Sequence, residues 1–108
     1  MKSLKFSEPL PSLILKGKKS ITWRINDEKG ITTGDKLSLC HNNGNEFAKA
    51  EVISVRETVF GNLTKKDKET HEKFSSVKEM LQKYSKYYRM KVTPKTKVKV
   101  IKFKLLKR

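Results

Sequence analysis

Several features that would assign a chain to a large protein class are scarce or missing here. Cysteine occurs once, at Cys40, which rules out an internal disulfide, and Cys40 with the lone His41 and His71 lacks the spacing of a structural zinc site. No metal or cofactor is therefore expected, and a reducing, cytoplasmic setting is. Nowhere is there a run of the roughly twenty apolar residues that a spanning helix needs, and Met1 to Pro9 has no apolar stretch of signal-peptide length. Basic residues that alternate along strands do not build a membrane-surface helix either, so no membrane partner is expected. With 108 residues the chain is expected to form one domain over 1–108, as a monomer, whose fold hides roughly two-thirds of the surface of the unfolded chain.

Acidic residues are also few. The chain has 11 Asp or Glu against 26 Lys or Arg, a formal net charge of +15. All the acids lie between Glu8 and Glu79, so the stretch from Met80 to Arg108 is basic without compensation. Such a segment is either a solvated lysine-rich face or a surface that meets phosphate.

What is present reads as short alternating strands with a few helices. Leu4-Lys5-Phe6 suggests a strand, and Pro9 and Pro11 bracket a helix start that Gly17 ends. Lys19 to Ile25 alternates, with Ile21, Trp23 and Ile25 on one face and Ser20, Thr22 and Arg24 on the other. A turn at Thr33-Gly34-Asp35 feeds a strand from Lys36 to Cys40. His41 to Asn45 is a hairpin connection, and a return strand runs from about Phe47 to Glu57 with a shift of phase after Val52. Thr64 opens a short helix through about Glu72. Ser76 caps a longer one in which Val77, Met80, Leu81 and Tyr84 make the apolar stripe. Thr96 to Leu106 alternates again but slips at Val100-Ile101, which suggests a bulge or bend. The expected fold is α+β, a small, mostly antiparallel barrel with two or three peripheral helices.

Chemistry concentrates in Gly17-Lys18-Lys19-Ser20-Ile21-Thr22-Trp23-Arg24. Arg24 shares a strand face with Thr22, and its fixed fork suits a phosphate or a base edge. A crowded or buried Lys19 loses basicity and can then take a proton from the Thr22 hydroxyl, provided Lys19 lies in the turn before the strand. The plainer alternative is that Thr22 is a strand former and Arg24 a surface residue. Tyr84, Tyr87 and Tyr88 interleave with Lys83, Lys86 and Arg89, a pattern that suits stacked bases. Tyr84 belongs to the core stripe, which leaves Tyr87 or Tyr88 for stacking.

The same stretch resembles the signature G-x-K-x-x-T-x-R of the ASCH domain, a small β-barrel of the PUA-like superfamily. Ser7-Glu8-Pro9, the Gly34-Asp35 turn, Glu72-Lys73-Phe74 before a capped helix and the closing Val100-Ile101-Lys102-Phe103 agree with that family over nearly the whole chain. The resemblance implies a cleft for RNA or a modified nucleoside. Candidate nucleic-acid contacts are Lys18, Lys19 and Arg24 of that stretch and Tyr87, Tyr88, Arg89 and Lys91 of the basic segment with interleaved aromatics. One bacterial branch hydrolyses N4-acetylcytidine; by similarity its base, nucleophile and proton donor fall on Lys19, Thr22 and Glu72. Here Ile25 follows the arginine where that branch has an acid, and the heavy basic tail favours a polymeric ligand. Three readings stay open: an RNA- or nucleoside-binding module, an amidohydrolase, and an RNA-cleaving protein.

Overall fold

The computed structural model describes residues 1–106. Five strands form one curled sheet: β1 (Lys2–Phe6), β2 (Ile21–Arg24), β3 (Lys36–His41), β4 (Glu46–Val59) and β5 (Lys97–Leu105), in the order β1-β3-β4-β5-β2. Helix α1 (Leu10–Leu15) joins β1 to β2; α2 (Lys65–Lys68) and α3 (Val77–Tyr88) lie between β4 and β5. None of the helices is long and apolar enough to cross a membrane.

Of the expected barrel the sheet forms half: β1 and β2 end it and, among the described residues, do not pair with each other. The sheet is also mixed. β1 runs parallel to β3, with Leu4 opposite Leu39, while the other pairings are antiparallel. Alternation reports which side chains are buried but carries no information on which strand is the neighbour, and a parallel pair needs the long crossover that α1 and β2 supply here.

Two apolar clusters occupy the two faces of the sheet. Leu4, Phe6, Leu37, Leu39, Val52 and Phe103 belong to the first; Ile21, Trp23, Phe60, Met80, Tyr84 and Val100 belong to the second, beneath α3. Full burial of one such side chain contributes roughly 1.5–3 kcal/mol. β5 serves both clusters: Val98 and Val100 face the second, Ile101 and Phe103 the first. The slip at Val100-Ile101 is therefore a change of buried face and not a bulge in that strand. The register shift lies in its partner β4, between Val52 and Ser54.

Local signals set the ends of the elements. Gly17 closes α1 with φ +75°, a conformation that other residues reach at a cost, and Gly44 with φ +91° turns the β3–β4 hairpin. The Thr64 side chain accepts from Asp67 N, while the Asp67 carboxylate accepts from Thr64 N, a reciprocal cap on α2. This helix stops at Lys68 and does not extend to Glu72, which leaves Glu72 on a loop. At α3 the Ser76 hydroxyl accepts from Glu79 N, and the Glu79 carboxylate reaches Ser75 N, one residue before the cap. Val77, read as part of the buried stripe, is 56% exposed; Met80 and Tyr84 carry the burial.

Candidate functional site

The opening between the edge strands β1 and β2 is the place where candidate residues meet. A cavity of about 220 Å3 there is lined by Lys19, Thr22, Arg24 and Glu72, and walled by the rings of Phe6, Trp23, Tyr84, Tyr87 and Tyr88. Two unpaired edges leave main-chain groups that need partners. Arg24 bridges the edges. Its Nη2 donates to the Lys5 carbonyl at 3.1 Å, its Nη1 to the Trp23 carbonyl at 2.9 Å and to Thr22 Oγ1, and its guanidinium lies 5.0 Å from the Phe6 ring centre. A guanidinium has only donors, so Thr22 Oγ1 must accept, and the threonine's own hydrogen is left to point elsewhere.

Lys19 precedes β2, which begins at Ile21, so it escapes the strict alternation that would set it opposite Thr22. Its side chain is 2% exposed; Nζ donates to the Ile21 carbonyl at 2.7 Å and lies 2.6 Å from Glu72 Oε1. Burial pushes the Lys19 ammonium below its ordinary pKa, and the Glu72 carboxylate opposes this without cancelling it.

Glu72 reaches Lys19 through a chain of contacts from distant segments. Trp23 Nε1 donates to the Asp67 carbonyl at 2.9 Å, and Ser20 N donates to Thr70 Oγ1 at 2.9 Å, so the loop after α2 is pinned to the start of β2. His71 then stacks on Trp23, with ring centres 3.6 Å apart and planes 12° from parallel. Burial opposes charge on Glu72, yet the positive Lys19 beside it, with help from His71, holds the carboxyl below the usual glutamate range. A carboxyl kept ionised is a poor resident proton donor. Oε1 is buried and, despite the close ammonium, makes no aligned hydrogen bond among the described residues.

His71 also belongs to the site, although the sequence analysis assigned it no role. It is one of the lone histidines and lies far from Trp23 along the chain, so no local spacing could have found it. Its side chain is 1% exposed. Burial, and then the Lys19 charge, lower its pKa from 6.5 to about 4. The neutral ring must donate from Nδ1 to the Glu72 carbonyl, 3.1 Å away, so Nε2 accepts from the Tyr84 hydroxyl at 3.0 Å. Burial raises the Tyr84 phenol far above its ordinary pKa, consistent with a donor that keeps its proton. Tyr88 Oη accepts from Ile25 N at 3.2 Å, and Tyr87, 71% exposed, stands at the rim.

Lys19, Thr22, Arg24, Glu72, Tyr87 and Tyr88 thus come together at one cavity. Lys18, Arg89 and Lys91 do not line it. All are exposed; Arg89 adopts the left-handed conformation that ends α3, and Lys91 borders a separate groove with Val77, Leu81 and Ser85. Among the described residues no cluster of His, Cys, Asp and Glu is arranged to hold a metal ion.

No protein-family model matches the chain, and no curated protein matches it. Solved structures do. The protein PH0355 is 27% identical, with 98% of this chain and all of that one aligned at a TM-score of 0.74. The protein PF0455 from Pyrococcus furiosus is 26% identical, with 99% and 98% aligned and a TM-score of 0.69. The ASCH domain from Lactobacillus crispatus is 14% identical, with 88% of this chain and 69% of that one aligned at a TM-score of 0.68.

Proposed function

The chain has the fold of the ASCH domain, and from that premise we propose that it binds RNA or a modified nucleoside, with one base in the β1–β2 cavity and basic surface against the phosphate backbone. The observation that carries this reading is the meeting of Lys19, Thr22, Arg24 and Glu72 with several aromatic rings at one cavity. Aromatic walls suit the flat face of a base, and the free Thr22 hydrogen and the part-exposed Glu72 carboxylate suit its polar edge. The net charge of +15 adds a long-range attraction for the backbone. RNA affinity should fall at least tenfold between about 50 and 200 mM salt, since neutralised phosphates release counterions. An affinity that ignores salt, measured by titration with labelled single-stranded RNA, overturns this reading.

A second reading is favoured by one specific feature, the buried Lys19 of lowered pKa at the same cavity as Thr22. In an amidohydrolase acting on N4-acetylcytidine, Thr22 Oγ attacks the acetyl carbon while its proton passes to Lys19. The C–N4 bond then breaks, cytidine leaves with a proton from Glu72, and water releases acetate from Thr22. At rest Lys19 and Glu72 form an ion pair, so the proton must first shift from Lys19 to Glu72 to give a neutral base and an acid. Conversion of N4-acetylcytidine to cytidine that is abolished by Thr22→Ala supports this reading. No conversion at high protein concentration removes it.

A further inference from the structure

Arg24 lines a second, larger cleft as well as the first cavity. We propose that this cleft, about 420 Å3 in volume at the Arg24 end of β2, β4 and β5, is a subsite for the neighbouring ribonucleotide of a single-stranded RNA, so that the ligand is an oligonucleotide and not a free nucleoside. The proposal rests on the binding reading above and extends it from one base to two.

Register places the cleft. Arg24 lies opposite Lys99, and Lys99 opposite Glu57, which makes a row across β2, β5 and β4; two residues on, Lys97 faces Val59. Lys99 is already committed: Nζ donates to Asp27 Oδ2 at 2.8 Å and to the Ile31 carbonyl at 3.0 Å. The free chemistry lies with the other lining residues. Lys97 and Glu57 are exposed and make no ion pair among the described residues, and the carboxamides of Asn26 and Asn62 make no hydrogen bond there. Arg24 retains Nε–H and one Nη2–H after its contacts with Thr22, Trp23 and Lys5.

This set matches a nucleotide group by group. Lys97 and the remaining Arg24 donors face an anion, as the phosphodiester joining two nucleosides requires. A carboxylate accepts from ribose hydroxyls, the part Glu57 is suited to, and the two carboxamides offer both donor and acceptor to a base edge. Because Arg24 borders both hollows, a chain with one base in the first cavity would carry its linking phosphate past that guanidinium.

The test compares ribonucleoside 5′-monophosphates with trinucleotides NpNpN of the same base, by calorimetric titration at fixed salt. The monophosphate dianion and the trinucleotide carry the same formal charge, so a gain in affinity does not come from charge alone. The trinucleotide should bind about tenfold more tightly. The double variant Lys97→Ala/Asn62→Ala should lose most of that gain and keep its monophosphate affinity and thermal midpoint, and Glu57→Gln should narrow the preference for ribo- over deoxytrinucleotide. Equal affinity for the two probes, or a gain that survives in the double variant, overturns the proposal while the one-base reading stands. Binding of neither probe overturns both.

Discussion

Among the described residues two lysine–carboxylate pairs are withdrawn from water, one more completely than the other. In the Lys99–Asp27 pair the side chains are 13% and 6% exposed, and the carboxylate also accepts from Ile31 N at 2.7 Å and Lys29 N at 3.2 Å. In the Lys19–Glu72 pair the lysine is 2% exposed but the glutamate 35%, so one partner is withdrawn from water and the other only in part. The first pair locks a turn to β5; the second lines a cavity. Burial of charge alone therefore does not mark a functional site. What sets the second pair apart is a part-exposed carboxylate at the wall of a cavity.

Removing one partner of the filled pair should have the largest effect. Asp27→Ala leaves Lys99 buried without a counter-charge, and urea denaturation should show a loss of about 3–5 kcal/mol. A loss below about 1 kcal/mol would make the two pairs alike.

Acid should next separate the surroundings of the two pairs, because a buried histidine stands beside only the second. Burial opposes charge on Asp27, but Lys99 and the backbone amides hold its carboxyl below the usual range, so this pair persists well into acid. His71, at about 4 in the folded chain against 6.5 ordinarily, behaves otherwise. Between these values the unfolded chain binds the extra proton, so its contribution is complete above about pH 6.5 and is lost as pH falls toward 4 and below. The loss amounts to up to about 3 kcal/mol. Urea midpoints measured across this range should show the slope, and His71→Phe, which keeps a ring against Trp23, should flatten it.

Within the cavity pair the two halves should be unequal. Glu72→Gln strands the more deeply buried Lys19 and should cost about 2 kcal/mol. Lys19→Met leaves a carboxylate that water can reach and should cost about 1 kcal/mol, with a larger fractional loss of RNA affinity than of stability. Equal costs, in paired denaturation curves, would place the two groups at the same depth. The smallest effect is expected at the surface pair of Glu8 and His41, whose side chains are 72% and 39% exposed. Glu8→Ala should change stability by less than about 0.5 kcal/mol.

Much of the local structure was legible before the fold was known. Gly17 at the end of α1, the Asn- and Gly-rich hairpin at His41 to Asn45, Ser76 at the start of α3 and the alternation of Ile21, Trp23 and Ile25 all depend on neighbours along the chain. The errors arose where a residue's surroundings come from elsewhere. Val100-Ile101 looks like a bulge because both residues are apolar, and only the presence of a core on each side of β5 explains them. The sequence pattern extends α2 to about Glu72, whereas the bonds from Trp23 to the Asp67 carbonyl and from Ser20 to Thr70 hold the chain after Lys68 as a loop. The site was half legible: Lys19, Thr22 and Arg24 share one short stretch, while Glu72 and His71 arrive from another.

By itself the amino-acid order determined the strand and helix segments, the basic excess and the motif around Thr22, since these follow from backbone preference, side-chain period and counted charge. The tertiary structure alone decided that β1 and β2 leave the sheet open, that Arg24 spans the opening and that Glu72 meets Lys19 beside it. Strand partnership and long-range contact follow from how separate segments pack together, and no local pattern encodes that choice.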